Sequence, residues 1–463
     1  MSVEGDKLRG PNYLTMKTLL LILLTSLSVF TMSGQTYHMP EENDLHEGTW
    51  LQWPHGYTYG NYYRNSLDDT WVSITQSLIT SENVHIIAYN NSEKNRIIGL
   101  LNNANVSLDK IDFFIHPNDD VWVRDNGPVF VYDENDELVL LDWGFNGWGN
   151  DTPYSKCDVI PALIAPEIGV ERIDLSAMVL EGGAVEHDGH GTMIATRSSV
   201  THSSRNPNMS EAEIETYLTT YMGFTKFIWL DGLYGDEITD MHIDGVMKLA
   251  NKDVILTMNN ADLLYWGLTQ ADIDLLYGAT NVQGDAFEIV YLPLTQNDVS
   301  TENGTNLGYK GSYANYYVGN TVVLVPNYND ANDQVANNII QTYYPNRTVI
   351  GIDVRNLYEN GGRIHCVTQQ QPVVLTPTSV KEEATIEIEV YPNPAVEQIQ
   401  LDLSAFSGDK NISIYNIAGQ LIHQVQTSDS YPVIPVLNWN EGVYFITMSN
   451  DNQQAQSKFT VSK

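Results

Sequence analysis

Two cysteines occur in 463 residues, and only one has neighbours suited to chemistry. Cys366 lies in Gly361-Gly362-Arg363-Ile364-His365-Cys366-Val367-Thr368. Paired glycines let a backbone approach a ligand closely. A thiolate is a strong nucleophile where a neighbouring cation lowers its pKa. Free cysteine is also among the most buried residue types, so a core position at the start of a strand is the competing reading. His242-Ile243-Asp244 supplies a second element. In an extended segment its two polar side chains share a face, as a general acid–base pair or a metal pair requires. A structural histidine is the commoner outcome of a single His-x-Asp. With no second histidine at ligand spacing, a zinc site is not expected. Asn118 to Pro128 carries Trp122, Arg124 and Asp125 into a Gly-Pro turn, where Arg124-Asp125 reads equally as a surface ion pair. Glu181 precedes Gly182-Gly183, for which a hairpin turn is the plain alternative. Cys157 stands apart from these segments and is expected to be a bystander, unless the two cysteines bridge in an oxidising compartment.

The charge balance narrows the partners. Asp and Glu number 58 against 23 Lys and Arg, a formal charge of -35. Such a surface repels phosphate backbones, which excludes general nucleic-acid binding, and draws in cationic substrates. Hydrophobic residues at 42% and aromatics at 10% are enough for a large core and argue against disorder. No apolar run is long enough for a stable membrane span.

These residues need elements to hold them. Strand-like runs at 84–88, 138–141 and 321–325 alternate with helix-like stretches at 66–80, 210–221 and 333–343. That alternation implies an α/β domain without a clean sequence repeat. Ahead of it, Lys17 and the apolar run from Thr18 to Leu24, closed by Ser33-Gly34, read as a secretory signal peptide over 16–35. Residues 1–15 read as an over-called start. The catalytic domain is expected over 36–375, a polar linker over 376–384 and a further domain over 385–463. In that last stretch the alternating segments 386–390, 399–403, 412–415 and 443–446 predict a small β-sandwich.

The tail motifs stand in a characteristic order: Tyr391-Pro392-Asn393-Pro394, Ile414-Tyr415-Asn416, Gly442-Val443-Tyr444-Phe445 and Lys458-Phe459-Thr460-Val461. They resemble the C-terminal sorting domain of Bacteroidetes type IX secretion substrates. The resemblance implies export to the cell surface or beyond by the type IX machinery, with removal of the tail. An adhesive or carbohydrate-binding sandwich is the other reading.

The remaining motifs also form an ordered set. They are Trp122-x-Arg124-Asp125-x-Gly127-Pro128, Glu181-Gly182-Gly183, Arg205-Asn206-Pro207 and Thr239-Asp240-x-His242-x-Asp244, then Tyr313-Ala314-Asn315-Tyr316-Tyr317 and Gly361-Gly362-x-Ile364-His365-Cys366. Residues 45–373 thereby resemble the agmatine deiminase and Porphyromonas-type peptidylarginine deiminase family. The resemblance implies the pentein fold, a five-bladed α/β propeller, and hydrolysis of a guanidinium to a ureido group and ammonia without a cofactor or metal. It makes Cys366 the nucleophile, His242 the general acid–base, and Asp125 and Asp244 the guanidinium-binding carboxylates. Glu181 is a further catalytic acid, and Trp122, Arg124, Gly362 and Arg363 contribute to substrate binding. Agmatine, yielding N-carbamoylputrescine, is the leading substrate, and peptide or protein arginine outside the cell is the alternative. A catalytically idle surface-binding protein and a thiol protease are further readings, disfavoured by the full catalytic set and by the motif order. Three departures from the family pattern cluster near the substrate: Arg363 in place of the usual third glycine, which is often followed by Asn, Thr196 to Val200 without the usual Cys-Leu, and Asp240-Met241 before the histidine.

Overall fold

The computed structural model describes residues 36–375, 388–406, 408–417, 420–450 and 454–463. The expected signal peptide and linker lie outside the described residues. The chain divides into two compact units between Leu375 and Thr376.

The first unit contains five separate sheets built on one plan. In the first, β1 (His46–Gln52) runs parallel to β2 (Asn83–Ala88), with helix α1 (Gly56–Leu78) between them, and β2 runs parallel to β3 (Ile111–Ile115). The second joins β4 (Val129–Tyr132), antiparallel to β5 (Leu138–Gly144), which is parallel to β6 (Glu171–Val179). The third repeats this with β7 (Val185–His187), β8 (Thr192–Thr196) and β9 (Lys226–Leu230). The fourth uses β10 (Met247–Asn251), β11 (Val254–Met258) and β12 (Glu288–Leu292). The fifth uses β13 (Tyr317–Val318), β14 (Val322–Asn327) and β15 (Thr348–Asp353). The last strand of the unit, β16 (Gln369–Pro372), returns to pair antiparallel with β1. The first sheet is therefore completed by both ends of the unit, and it too acquires the antiparallel-then-parallel order.

Each parallel step is bridged by at least one helix, because a parallel connection must cross back over the sheet. The helices form where apolar residues recur on one face. Alpha1 buries Leu67, Trp71, Ile74 and Leu78, spaced three or four residues apart. The helix Glu211–Met222 buries Ile214, Leu218 and Met222. It starts at a capping box between Ser210 and Glu213 and stops at Gly223, whose φ of 75° suits a residue without a Cβ. Truncating Ile214, fully buried among Met193, Leu218 and Trp229, to alanine costs about 2–5 kcal/mol. No clean repeat is visible in the sequence although the plan recurs five times. Strand pairing constrains the backbone and the apolar pattern, whereas each sheet fills its own core with different side chains.

In the second unit, strands Glu389–Tyr391, Gln398–Asp402 and Val433–Pro435 form one antiparallel sheet. Lys410–Asn416, Leu421–Thr427, Gly442–Ser449 and Gln454–Val461 form another. Ile399, Leu401 and Ile434 of the first share one apolar cluster with Ile412, Ile446 and Phe459 of the second. Alternate residues point inward as the period-two pattern predicts.

Candidate active site

All candidate residues occupy equivalent places in the plan: the short turn just before the strand that opens each sheet. Asp125 lies on the helical turn Val123–Asn126 ahead of β4. Glu181 immediately precedes the turn Gly182–Ala184 ahead of β7. His242 caps the turn Ile243–Gly245 ahead of β10. Asn315 stands two residues before β13, and Cys366 lies in the turn His365–Val367 before β16. The extended reading of His242–Asp244 does not hold: His242 caps a 3-10 turn over Ile243–Gly245, and two left-handed residues precede it. Both side chains nevertheless reach the same cleft.

That cleft encloses about 730 Å³ and is lined by Trp122, Asp125, His242, Asp244, Arg363 and Cys366 among others. Its catalytic end converges on Gly183. A Cβ at Gly183 would fall 2.6 Å from His242 Nδ1, 2.9 Å from Asp125 Oδ1 and 3.0 Å from Asp244 Oδ2. The Gly183 N–H donates to Asp125 Oδ1 at 3.0 Å, and Trp148 Nε1 donates to Asp125 Oδ2 at 3.1 Å. Burial raises Asp125 to about 6, aided by Glu181 and Asp244 and opposed by His242.

His242 Nε2 lies 2.8 Å from Glu181 Oε2, and its Nδ1 lies 3.6 Å from Asp125 Oδ1. Burial lowers the imidazole pKa, but Asp125, Glu181 and Asp244 together carry it up to about 9. Glu181 is fixed from behind by Arg205, whose Nε and Nη2 donate at 2.8 and 3.4 Å. Arg205 Nη1 also pairs with Asp240.

Asp240 and Met241 hold φ of 55° and 69°, the left-handed region. Non-glycine residues there cost roughly 1–2 kcal/mol each. The turn is pinned on several sides. Ser198 Oγ donates to Asp240 O at 2.6 Å, Thr196 Oγ1 donates to Met241 O at 2.9 Å, and the Met241 N–H donates to Glu237 Oε1 at 2.6 Å. Two of the sequence departures, 196–200 and 240–241, are thus one structural feature that sets the His242 turn.

Asp244 Oδ2 accepts from His365 Nδ1 at 2.8 Å. His365 Nε2 in turn faces Lys248 Nζ at 2.9 Å and Glu42 Oε2 at 3.0 Å. Lys248 Nζ donates to Glu186 Oε1 at 3.0 Å. Burial raises Asp244, yet the His365 hydrogen bond and charge, with His242 and Arg363, bring it below the usual carboxylate value. It is therefore the firmly ionised carboxylate of the pair.

Cys366 is half-buried, and its thiol lies 3.5 Å from Asn315 Oδ1, which also accepts the His365 N–H at 3.0 Å. Desolvation pushes the thiol up to about 12, with Asp244 and Asp125 adding to the rise and Arg363 opposing it. Gly362 lets Trp122 close on the cysteine loop, since a Cβ there would sit 1.8 Å from Trp122 Cζ3. Arg124 is placed elsewhere: it lines a neighbouring small cavity with Glu42, Glu186 and Lys248, and its Nε donates to His365 O at 3.3 Å. Cys157 is fully buried beside the Asp119 N–H, 3.3 Å away. The two cysteines are free.

Sequence reasoning gave no role to His365, Asn315, Arg205 or Trp148. The first three stood inside quoted motifs, whereas Trp148 carried only the cue of an aromatic between glycines. Among the described residues, no group of three or more His, Cys, Asp or Glu side chains is arranged to hold a metal ion, and no helix is long and apolar enough to cross a membrane.

Known proteins resemble this chain in sequence and fold. Over 359 residues the chain is 31% identical to a Listeria monocytogenes protein provisionally named agmatine deiminase 1, covering 73% of this chain and 96% of that one. An agmatine deiminase structure from Enterococcus faecalis superposes with a TM-score of 0.65 at 25% identity, covering 73% of this chain and 96% of the other. A Porphyromonas gingivalis structure provisionally named arginine deiminase gives 0.64 at 28%, covering 73% and 98%. Residues 389–462 match the family described as the secretion system C-terminal sorting domain. Residues 38–372 match the Porphyromonas-type peptidyl-arginine deiminase family, and the chain belongs to it.

Proposed function

We propose that the protein is a hydrolase that converts a guanidinium to a ureido group and ammonia through a covalent intermediate on Cys366. The observation that carries this reading is the convergence of His242, Asp125 and Asp244 on Gly183, in the cleft that also holds Cys366. A guanidinium is planar, permanently charged and rich in donors, so two facing carboxylates are its natural complement. Asp125 and Asp244 hold its N–H groups and leave the central carbon open to sulfur.

The free site holds the thiol protonated, because burial and two carboxylates disfavour another anion. Entry of a cation between those carboxylates offsets their field and favours the thiolate, with the thiol proton passing to solvent. Cys366 Sγ then bonds to the guanidinium carbon. His242, positively charged at neutral pH, donates its proton to the departing nitrogen, and the C–N bond breaks to release ammonia. The product is an S-alkylthiouronium. Neutral His242 next takes a proton from water as water adds to the same carbon. Collapse breaks the C–S bond and releases the remaining hydroxyl proton to solvent, leaving the neutral ureido product and the thiolate. Glu181, locked by Arg205, orients the imidazole through both steps.

Agmatine is the first substrate to test, since two of the three relatives above are named for it. Arginine, free or peptide-borne, is the second reading, favoured by Arg363 in the cleft. The five sheets, whose opening turns meet at one site, are read as the blades of a propeller around it. The tail is read as routing the protein through type IX secretion to the cell surface or medium. Incubation of the purified protein with agmatine, L-arginine and arginyl peptides, scored for ammonia and ureido product, tests the activity. Absence of both products from every substrate refutes it.

A further inference from the structure

The segment ahead of β1, residues 38–43, is bound to the second through fifth sheets or their connections. His38 exchanges two backbone hydrogen bonds with Tyr132 on β4, at 2.9 and 3.0 Å. The Met39 N–H donates to Met222 O at 3.1 Å, at the end of the helix before β9. Asn43 Nδ2 donates to Ala250 O on β10 at 2.6 Å, and Arg347 Nη2, just before β15, donates to Asn43 O at 2.6 Å. Glu42 Oε1 accepts the Val318 N–H on β13 at 2.8 Å. Gly223 allows the close approach, since a Cβ there would lie 2.6 Å from Tyr37 O. The segment is thus a strap, and what it delivers is one carboxylate. Glu42 Oε2 reaches Lys248 Nζ at 2.5 Å and His365 Nε2 at 3.0 Å.

Lys248 is only 2% exposed, and a buried ammonium is costly unless its protons are used. It has three donors and three neighbours to take them: Glu42, Glu186 and His365 Nε2. Arg124 Nε donates to the His365 carbonyl from the same side. The far edge of the imidazole therefore lies among Glu42, Glu186, Lys248 and Arg124, and its near edge meets Asp244 Oδ2 through Nδ1 at 2.8 Å. Whether Nε2 accepts from Lys248 or donates to Glu42, Nδ1 keeps its proton, because ionised Asp244 can only accept. A half-turn of the ring would present carbon to both sides, so the Glu42–Lys248 pair locks its orientation. Asp244 is braced from behind as Glu181 is braced by Arg205. We propose that Glu42 and Lys248 are positioning residues for the reaction: acting through His365, they hold the Asp244 carboxylate in place and ionised for a guanidinium. The strap is then part of the catalytic assembly although it touches no substrate. This inference rests on the guanidinium-hydrolase reading above and deepens it.

The test uses Glu42→Gln in the full protein, since the amide keeps the shape and the acceptor for Val318 while removing the charge. With agmatine and L-arginine as substrates, kcat/KM should fall by about 10–100-fold, the upper end matching misplacement of a reacting group by about 1 Å. KM should rise as well as kcat fall, because Asp244 holds the guanidinium before and during the reaction. Lys248→Met should act in the same direction, and Lys248→Arg should recover part of the loss. Circular dichroism and thermal melts accompany each variant. Lys248→Met leaves Glu42 and Glu186 without their cation, so Glu42→Gln decides the matter if that variant does not fold. Equilibrium binding of agmatine and L-arginine in the Cys366→Ala background reads the effect without turnover. There Glu42→Gln should weaken binding by about 10-fold or more, but by far less once Asp244→Asn is also present, because the carboxylate that carries the effect is gone. A merely structural loss would repeat in full in that double variant. Unchanged kcat/KM and unchanged binding in folded Glu42→Gln overturn the inference, and so do additive losses with Asp244→Asn. Absence of ureido product from every substrate in the unaltered protein, with the coupled losses of binding retained, instead refutes the hydrolase reading alone.

Discussion

His242 Nε2 stands 2.8 Å from Glu181 Oε2, and the far side of that carboxylate is held by Arg205 at 2.8 Å. The imidazole therefore has a fixed orientation and a partner that stabilises its charged form. Its pKa, about 9, lies above the unfolded value, so the contact stabilises the fold fully below about pH 6.5 and loses that contribution as pH rises through about 9.

The first expectation concerns pH. Asp125, raised to about 6, must be ionised to hold a guanidinium, and His242 must be protonated to release ammonia. The kcat/KM profile should rise steeply up to about 6, more gently from 6 to 9 because the thiol proton is lost on binding, and reach its alkaline limb, where the rise stops, near 9. Glu181→Gln should move the alkaline limb to lower pH and reduce kcat by about 10²–10⁴-fold, the usual contribution of a positioned acid–base. An alkaline limb unmoved in a folded variant contradicts the role given to Glu181.

Cys366→Ala should abolish turnover and leave the melting temperature near that of the unaltered protein. In the substrate-free protein, iodoacetamide should label Cys366 slowly at neutral pH and faster throughout the alkaline range, because the thiol is held up to about 12. Fully buried Cys157 should stay unlabelled until the protein unfolds. Peptide mass mapping of labelled protein checks both statements.

Gly183→Ala is expected to be as damaging as loss of a charged residue. The added methyl would meet His242, Asp125 and Asp244 at 3.0 Å or less. The three groups must spread, and misplacement by about 1 Å costs on the order of 100-fold in rate. Wild-type kcat/KM in this variant would show that the convergence is not the reacting centre.

Asp125→Asn and Asp244→Asn should each lower kcat/KM by a factor equivalent to several kcal/mol, since each removes one charge from a buried ion pair with the substrate. Their effects on the fold should differ. Asp244→Asn leaves His365 facing Lys248 without its carboxylate, whereas Asp125→Asn relieves crowding with Glu181 and Asp244. Thermal melts of the two variants, with Asp244→Asn the less stable, check this.

Chain deletion offers a further check. Every proposed catalytic residue lies before Leu375, and the sheets after residue 388 share a core of their own. A chain ending at Leu375 should keep its kcat/KM, measured on the same substrates as the full protein. Loss of most turnover would make the tail part of the catalytic architecture.

Much of the site was legible in the sequence because chemistry restricts residue types. A nucleophilic thiol and an acid–base imidazole have few substitutes, which made Cys366 and His242 candidates, whereas Asp125, Asp244 and Glu181 took their proposed roles from the ordered motifs that resemble the deiminase family. The short strand-like run at 84–88 and the helix-like stretch at 333–343 likewise foretold a strand and a helix there. What the sequence could not convey is which distant residues meet. His365 touches Asp244 across 121 positions, Arg205 reaches Glu181 and Asp240, and Arg124 lines a different cavity from its neighbour Asp125. Those outcomes depend on side-chain direction and on the left-handed backbone at Asp240 and Met241, which only packing against Thr196, Ser198 and Arg205 can hold. Local propensity disfavours such a turn, so the tertiary structure alone decided it.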